Sequence, residues 1–96
     1  MSFTIWKETL VIASGTQEKF MPMGAQILTV REQETSIAMW YHCNPDNIME
    51  KRRFIVIPTG SIAPTMEGAN YLGTAQIEGG KFIFHVFEIM DIGFIN

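Results

Sequence analysis

Residues that cross-link a chain or ligate a metal are scarce in this sequence. Its single cysteine, Cys43, excludes a disulfide within the chain and is typical of a reducing cytosol. The two histidines, His42 and His85, are too few for a zinc site, which needs three or four converging ligands. Both lie in apolar stretches, and His42 and Cys43 would face opposite sides of a strand. We therefore predict no metal, no cofactor and no catalytic residue, and we place His85 in the core with its ring hydrogen-bonded.

Charged residues are few, and long apolar runs are absent. Charged residues make up 18% of the sequence and hydrophobic residues 47%, so more apolar surface is present than one small core hides, which favours a homo-oligomer or an apolar partner surface. The net charge of −3 gives no general attraction for nucleic acid or an anionic membrane, and we expect no double-stranded nucleic acid as a partner. No apolar run approaches the ~20 residues of a membrane span, and residues 1–8 lack the pattern of a signal peptide. These absences predict a cytoplasmic protein.

No segment has the periodicity of a long helix, whereas strand signals recur along the chain. The sequence predicts one all-β domain over residues 1–96, a small antiparallel β-sandwich or barrel of about six short strands with at most a short helical turn. The clearest feature is a hairpin whose arms are residues 71–77 and 81–89, joined by a glycine-rich turn. Both faces of the second arm are largely apolar, which predicts a central strand with a layer packed on each side.

The other segments give shorter or weaker signals. A second hairpin is predicted over residues 25–32 and 36–43, an edge strand over 3–12 and a short buried strand over 54–57. The non-strand predictions near the N-terminus are a polar break at 13–19 and an irregular segment at 20–24 that leads into the next strand. Further along, we predict one helical turn at 48–50, the longest loop at 61–70, and a tail at 91–96 that docks on the body or on a neighbouring subunit.

The one basic cluster, Lys51-Arg52-Arg53, is the first candidate for binding chemistry. Guanidinium groups bind phosphates and carboxylates through paired hydrogen bonds, so Arg52 and Arg53 predict an anion site. Thr59 and Gly60 follow one strand length later, where a hydroxyl and a backbone amide would complete an anion nest. The alternative is a solvated strand entrance or an ion pair between subunits. The spacing is not that of a phosphate-binding loop.

Two aromatic residues, Trp40 and Tyr71, complete the predicted ligand-binding set. Side chains with a flat ring and a polar edge stack on bases and also occupy protein interfaces. The alternative for each is a half-buried strand aromatic.

Four stretches of the sequence resemble a family of short tailed-phage proteins with no established function. They are residues 53–60 (RFIVIPTG), 71–76 (YLGTAQ), 84–88 (FHVFE) and, more loosely, 22–28 (PMGAQIL). The resemblance covers most of the chain, from which the tail at 91–96 departs. It implies a phage origin and a small β-rich fold, and it supplies no catalytic residues.

The expected function combines the basic cluster with this resemblance. We expect a phage accessory protein of the host cytoplasm that counters a host defence by sequestering a small anionic, nucleotide-type signal. Arg53 would donate to the ligand, and Thr59 or the Gly60 amide would meet it from the other end of the strand or from a neighbouring subunit. The alternative is a non-catalytic inhibitor that binds a host or phage protein.

Overall fold

The computed structural model describes residues 2–90, and within that range the chain is all-β. Its strands are β1 (Thr4–Leu10), β2 (Thr16–Pro22), β3 (Gln26–Gln33), β4 (Ser36–Cys43), β5 (Met49–Pro58), β6 (Ala69–Ile77) and β7 (Phe82–Ile89). They form a three-stranded sheet A in the order β1-β4-β3 and a four-stranded sheet B in the order β2-β5-β7-β6. All pairings are antiparallel. The predicted antiparallel all-β fold is confirmed, with one more strand than expected.

The hairpin β6–β7 is the feature that the sequence specifies most strongly. Its turn contains Glu78, Gly79 and Gly80, all with positive φ, as tight hairpin turns require. β7 lies between β5 and β6, so the predicted central position is confirmed. The second predicted hairpin is β3–β4, in sheet A, and β1 is the predicted edge strand beside β4.

The core lies between the two sheets, which form a flat molecule with extents of 42 × 35 × 16 Å. Period-two alternation sends one side of every strand inward. The largest fully buried side chains of this layer are Phe54, Leu10, Met21, Ile37, Met39 and Val86. β3 and β6 approach each other closely across the sheets, at Val30 and Gly73.

Two local predictions are wrong. Thr16–Pro22, predicted as a polar break followed by an irregular approach, is the edge strand β2. Edge strands expose one ladder edge and often one face, so polar residues are compatible with them, and Pro22 at the strand end needs no ladder donor. The helical turn expected at residues 48–50 is also absent, because β5 already begins at Met49.

Residues 59–68 form the longest connection within the described chain, as predicted. β5 and β6 both run antiparallel to β7, so this segment carries the chain back along the length of β7. It ends in a 3₁₀ turn, Met66–Gly68, whose Gly68 carbonyl accepts a hydrogen bond from the Met90 amide. The outer face of sheet B buries a second, smaller cluster: Ile57, Ala69, Phe87 and Ile89.

No helix within residues 2–90 is long and apolar enough to cross a membrane. The tail predicted at residues 91–96 lies outside the described residues.

Candidate functional site

Arg52, the first of the predicted anion-binding arginines, is held inside the protein. Its Nε and Nη2 donate to the two carboxylate oxygens of Glu88 at 2.6 and 2.7 Å, and its Nη1 donates to the Ala25 carbonyl at 2.6 Å. Only 16% of the Arg52 side chain and 9% of the Glu88 side chain are exposed. Hydrogen bonding to Glu88 raises the pKa of Arg52, against the opposing effect of burial. The geometry is that of a bidentate structural ion pair that ties β5 to β7 and to the β2–β3 connection.

The other two cations of the cluster lie on the opposite side of β5. Strand alternation puts Lys51 and Arg53 on the outer side, two residues apart, where their Cα atoms are ~7 Å from each other. Lys51 is exposed and lies 3.6 Å from the Glu18 carboxylate, whereas Arg53 is half-buried. The sequence prediction assigned both arginines to the anion site, but the two cations that share a side of β5 are Lys51 and Arg53.

All three cations line one cleft at the end of sheet B where β5 begins, which we call the basic-end cleft. Its volume is about 460 Å³, within the usual range for small-ligand sites. Its lining comprises Gly24, Ala25, Glu50, Lys51, Arg52, Arg53, Asn70, Glu88, Ile89 and Met90. Three cations and two carboxylates give the lining a formal charge of +1, whereas the whole chain carries −3.

Thr59 and Tyr71, predicted as ligand-binding residues, come together around His85. The His85 Nε2 atom lies 2.7 Å from the Thr59 hydroxyl, and Nδ1 lies 3.0 Å from the Thr74 hydroxyl. The Tyr71 hydroxyl is hydrogen-bonded in turn to that of Thr74, and the Tyr71 ring packs edge-on against Phe87 at 5.6 Å. His85 is therefore hydrogen-bonded through both ring nitrogens as expected, but it is half-buried on the outer face of sheet B and not in the core between the sheets.

These four polar side chains, Thr59, His85, Thr74 and Tyr71, form a continuous hydrogen-bonded row, which we call the His85 row. In the tautomer with hydrogen on Nε2, His85 donates to the Thr59 hydroxyl, which lies 3.4 Å from the Ile83 carbonyl, and Nδ1 accepts from Thr74, which accepts from Tyr71. The other tautomer reverses the direction of the row. The arrangement fixes the orientation of Tyr71, and the imidazole is already occupied on both sides.

The remaining predicted residues lie apart from both places. Gly60 follows Thr59 in the connection after β5, at the opposite end of that strand from Arg53. Trp40 lies in the middle of β4, in the other sheet, on the face that points away from the core. Five of the six predicted residues thus divide among the basic-end cleft, the His85 row and the outer face of sheet A, and Gly60 lies in none of the three.

The Cys43 thiol and the His85 imidazole lie in different parts of the described fold. Cys43 is buried between the sheets, where desolvation raises the pKa of its thiol and so disfavours the reactive thiolate. His85 lies on the outer face of sheet B, away from that core position. Within residues 2–90 no three His, Cys, Asp or Glu side chains group closely enough to hold a metal ion.

Glu88 and Asn70 are among the cleft residues that sequence reasoning missed. The signal for Glu88 was present: it is the one charged residue in the apolar stretch 82–89, and a carboxylate there needs a buried cation. Nothing in the local sequence singles out Asn70, which reaches the cleft because β6 begins beside the end of β7.

A family model described as Domain of unknown function (DUF7352) matches residues 1–91 of the chain. No curated protein and no solved structure matches the chain.

Proposed function

We propose, from the premise that this chain belongs to the family described as Domain of unknown function (DUF7352), that it is a non-catalytic protein that binds a small anionic ligand in the basic-end cleft. The observation that carries this proposal is the convergence of the whole basic cluster on one cleft of ligand size in an acidic chain. A local positive lining attracts an anion even where the net charge of the protein is negative.

Within the cleft the three cations have different roles. Arg52 is committed to Glu88 and is not a ligand contact, because both carboxylate oxygens are already occupied by its guanidinium. Lys51 and Arg53 share one side of β5 and contact the ligand, with Lys51 released from its exposed, weak pairing with Glu18. Two cations on one side of a strand, with their Cα atoms ~7 Å apart, suit a ligand with two separated anionic groups, such as a nucleotide with more than one phosphate or a dinucleotide.

The biological role that we propose is that of an accessory protein of a tailed phage. This role rests on the resemblance of four stretches of the sequence to short phage proteins. In this role the protein acts in the host cytoplasm and counters a defence by sequestering a nucleotide-type signal, with no turnover of the ligand. Sequestration needs affinity and copy number and needs no catalytic group.

Calorimetry with a panel of linear and cyclic nucleotides tests the proposal. We expect Arg53→Gln to weaken binding about ten- to a hundredfold, since a charge-assisted hydrogen bond contributes about 1.5–3 kcal/mol. The matched control is Lys81→Gln, an equal change of charge at an exposed position in the β6–β7 turn, and it should bind as the unsubstituted protein does. Absence of heat for the unsubstituted protein with every nucleotide would contradict the proposal.

A second candidate function is a non-catalytic inhibitor that binds a host or phage protein by surface contact. The observation in its favour is the set of large apolar side chains left exposed, including Ile62 at 94% and Ile48 at 73%. The two candidates separate when the protein is purified from infected cells and boiled. A small anion in the supernatant, identified by mass spectrometry, supports the ligand proposal, and a stoichiometric co-purifying polypeptide supports the inhibitor.

A further inference from the structure

The outer face of sheet A is an uncovered sheet surface with an indole at its centre. Trp40 lies on the middle strand β4, directly opposite Lys7 of β1 and Thr29 of β3. Much of this face is open to solvent: Phe3 is 55% exposed and Ile5 is 57% exposed, and among its β4 positions only Ala38 is fully buried. Trp40 itself is half-buried, so part of its side chain is accessible.

The charge on this face has one sign. Strand alternation and register give it these positions: Ile5, Lys7, Thr9, Gln26, Thr29, Arg31, Gln33, Ser36, Ala38, Trp40 and His42. Lys7 and Arg31 are cations, and none of these positions carries a carboxylate, although the chain has 10 acidic residues. Lys7 donates to the Gln33 side chain at 3.2 Å, and Arg31 has no salt bridge within residues 2–90. The two cations flank Trp40 on either side of β4.

A second ring system lies two residues along the same strand. The Phe3 ring stacks on the His42 imidazole, with centroids 4.9 Å apart and an interplanar angle of 21°. His42 and Trp40 point to the same side of β4, ~7 Å apart along the strand. Flat rings in a row on an open sheet, with cations beside them, form the type of surface on which unpaired bases stack while their phosphates are neutralised.

We infer that the outer face of sheet A binds single-stranded nucleic acid, with bases stacked on Trp40 and on the Phe3–His42 pair and phosphates contacted by Lys7 and Arg31. The site lies on a different sheet from the basic-end cleft and is separate from the small-anion function proposed there. A duplex does not fit, because its bases are already stacked and this flat face has no element that enters a groove. An acidic peptide would satisfy the two cations but would leave the rings without a planar partner.

Fluorescence anisotropy with labelled oligothymidine and oligouridine of about twelve nucleotides, in about 50 mM salt, tests this inference. We expect both to bind, with affinity falling as salt is raised. Trp40→Ala should weaken binding about tenfold or more, and Trp40→Phe should retain most of it. Arg31→Gln and Lys7→Gln, both at exposed positions, should each weaken binding and lower the salt dependence by about one phosphate contact.

Intrinsic fluorescence gives an independent readout of stacking. In a Trp6→Phe background, which leaves Trp40 as the sole tryptophan, oligonucleotide binding should quench the indole emission. Lys81→Gln, which removes an exposed cation in the β6–β7 turn, is the control and should bind oligonucleotides as the unsubstituted protein does. The inference is overturned if neither oligonucleotide changes the anisotropy, or if Trp40→Ala and Arg31→Gln bind unchanged. Equal displacement by an acidic peptide of the same length would also overturn it and would assign the face to an acidic protein.

Discussion

At the scale of single residues, the basic cluster shows how a strand separates neighbours in sequence. Arg52 points inward to a buried carboxylate, and Lys51 and Arg53 point outward. The alternation follows from the strand assignment alone and could be predicted from the sequence. The partner of Arg52 could not, because Glu88 lies 36 residues away and reaches it only when β5 pairs with β7.

The Arg52–Glu88 pair gives a prediction about stability. Glu88→Gln should lower the free energy of unfolding by about 3 kcal/mol, at the low end of the range for broken buried pairs because part of the Arg52 side chain remains exposed. Replacing both members with apolar residues, as in Arg52→Met with Glu88→Leu, should recover much of that loss, since no unpaired charge is left buried.

Urea unfolding followed by circular dichroism measures both changes, and Glu18→Gln is the matched control. That substitution breaks the Lys51–Glu18 pair, whose side chains are each 52% exposed, and should cost less than about 1 kcal/mol. Equal losses for Glu88→Gln and Glu18→Gln would show that burial of the Arg52 pair has no effect on stability.

At the scale of elements, the hairpins were predictable and the polar edge strand was not. β3–β4 and β6–β7 have alternating or continuous apolar residues on both sides of a short turn, and these patterns are local. β2 is strand-like only because β5 lies beside it, since its own residues are mainly polar until Phe20. The N-terminal half of β5 is charged and gives no local strand signal either. It is a strand because it pairs with β2, and that pairing is set by tertiary structure.

Gly73 gives a prediction about how β6 meets β3. A Cβ atom at this position would lie 2.6 Å from Cγ2 of Val30, a buried side chain of β3, so any larger residue forces the two sheets apart. We expect Gly73→Ala to lower the free energy of unfolding by about 1–3 kcal/mol, as overpacked cores do.

A double-mutant cycle with Val30→Ala isolates this contact. Because the predicted clash is with a Val30 methyl group, Gly73→Ala should cost clearly less in the Val30→Ala background, with a coupling energy of about 1 kcal/mol or more in urea unfolding. Additive losses would mean that the effect of Gly73→Ala comes from backbone conformation and not from the approach of β3.

At the scale of the whole molecule, the two outer faces of the sandwich differ in kind. Sheet A presents an open face of rings and cations, and sheet B presents a face that residues 59–68 and the His85 row partly close. The sequence predicted a β-sandwich or barrel with surplus apolar residues, but it could not assign those residues to a face. The face to which a residue belongs depends on the order of strands in the sheet, and in sheet B β7 lies between β5 and β6.

The surplus apolar surface leads to the last prediction, a homo-oligomer. The exposed apolar side chains near the outer face of sheet B include Ile62 at 94%, Met66 at 66% and Tyr71 at 49%. Contiguous exposed apolar surface in a small protein is typically covered by a partner, and a second copy is always present at the same concentration. Size-exclusion chromatography with light scattering at micromolar concentration should therefore give a mass at least twice 10.9 kDa.

Ile62→Ser combined with Met66→Gln should shift that mass to the monomer, because both side chains lie in or beside the connection over sheet B. Ile5→Ser, an equally drastic change at a 57% exposed position on sheet A, should leave the mass unchanged. A clean monomer of the unsubstituted protein would contradict the oligomer. Dissociation caused by Ile5→Ser alone would move the subunit interface to sheet A, where it would compete directly with the nucleic-acid surface. One set of variants therefore tests whether sheet A binds a second subunit or nucleic acid.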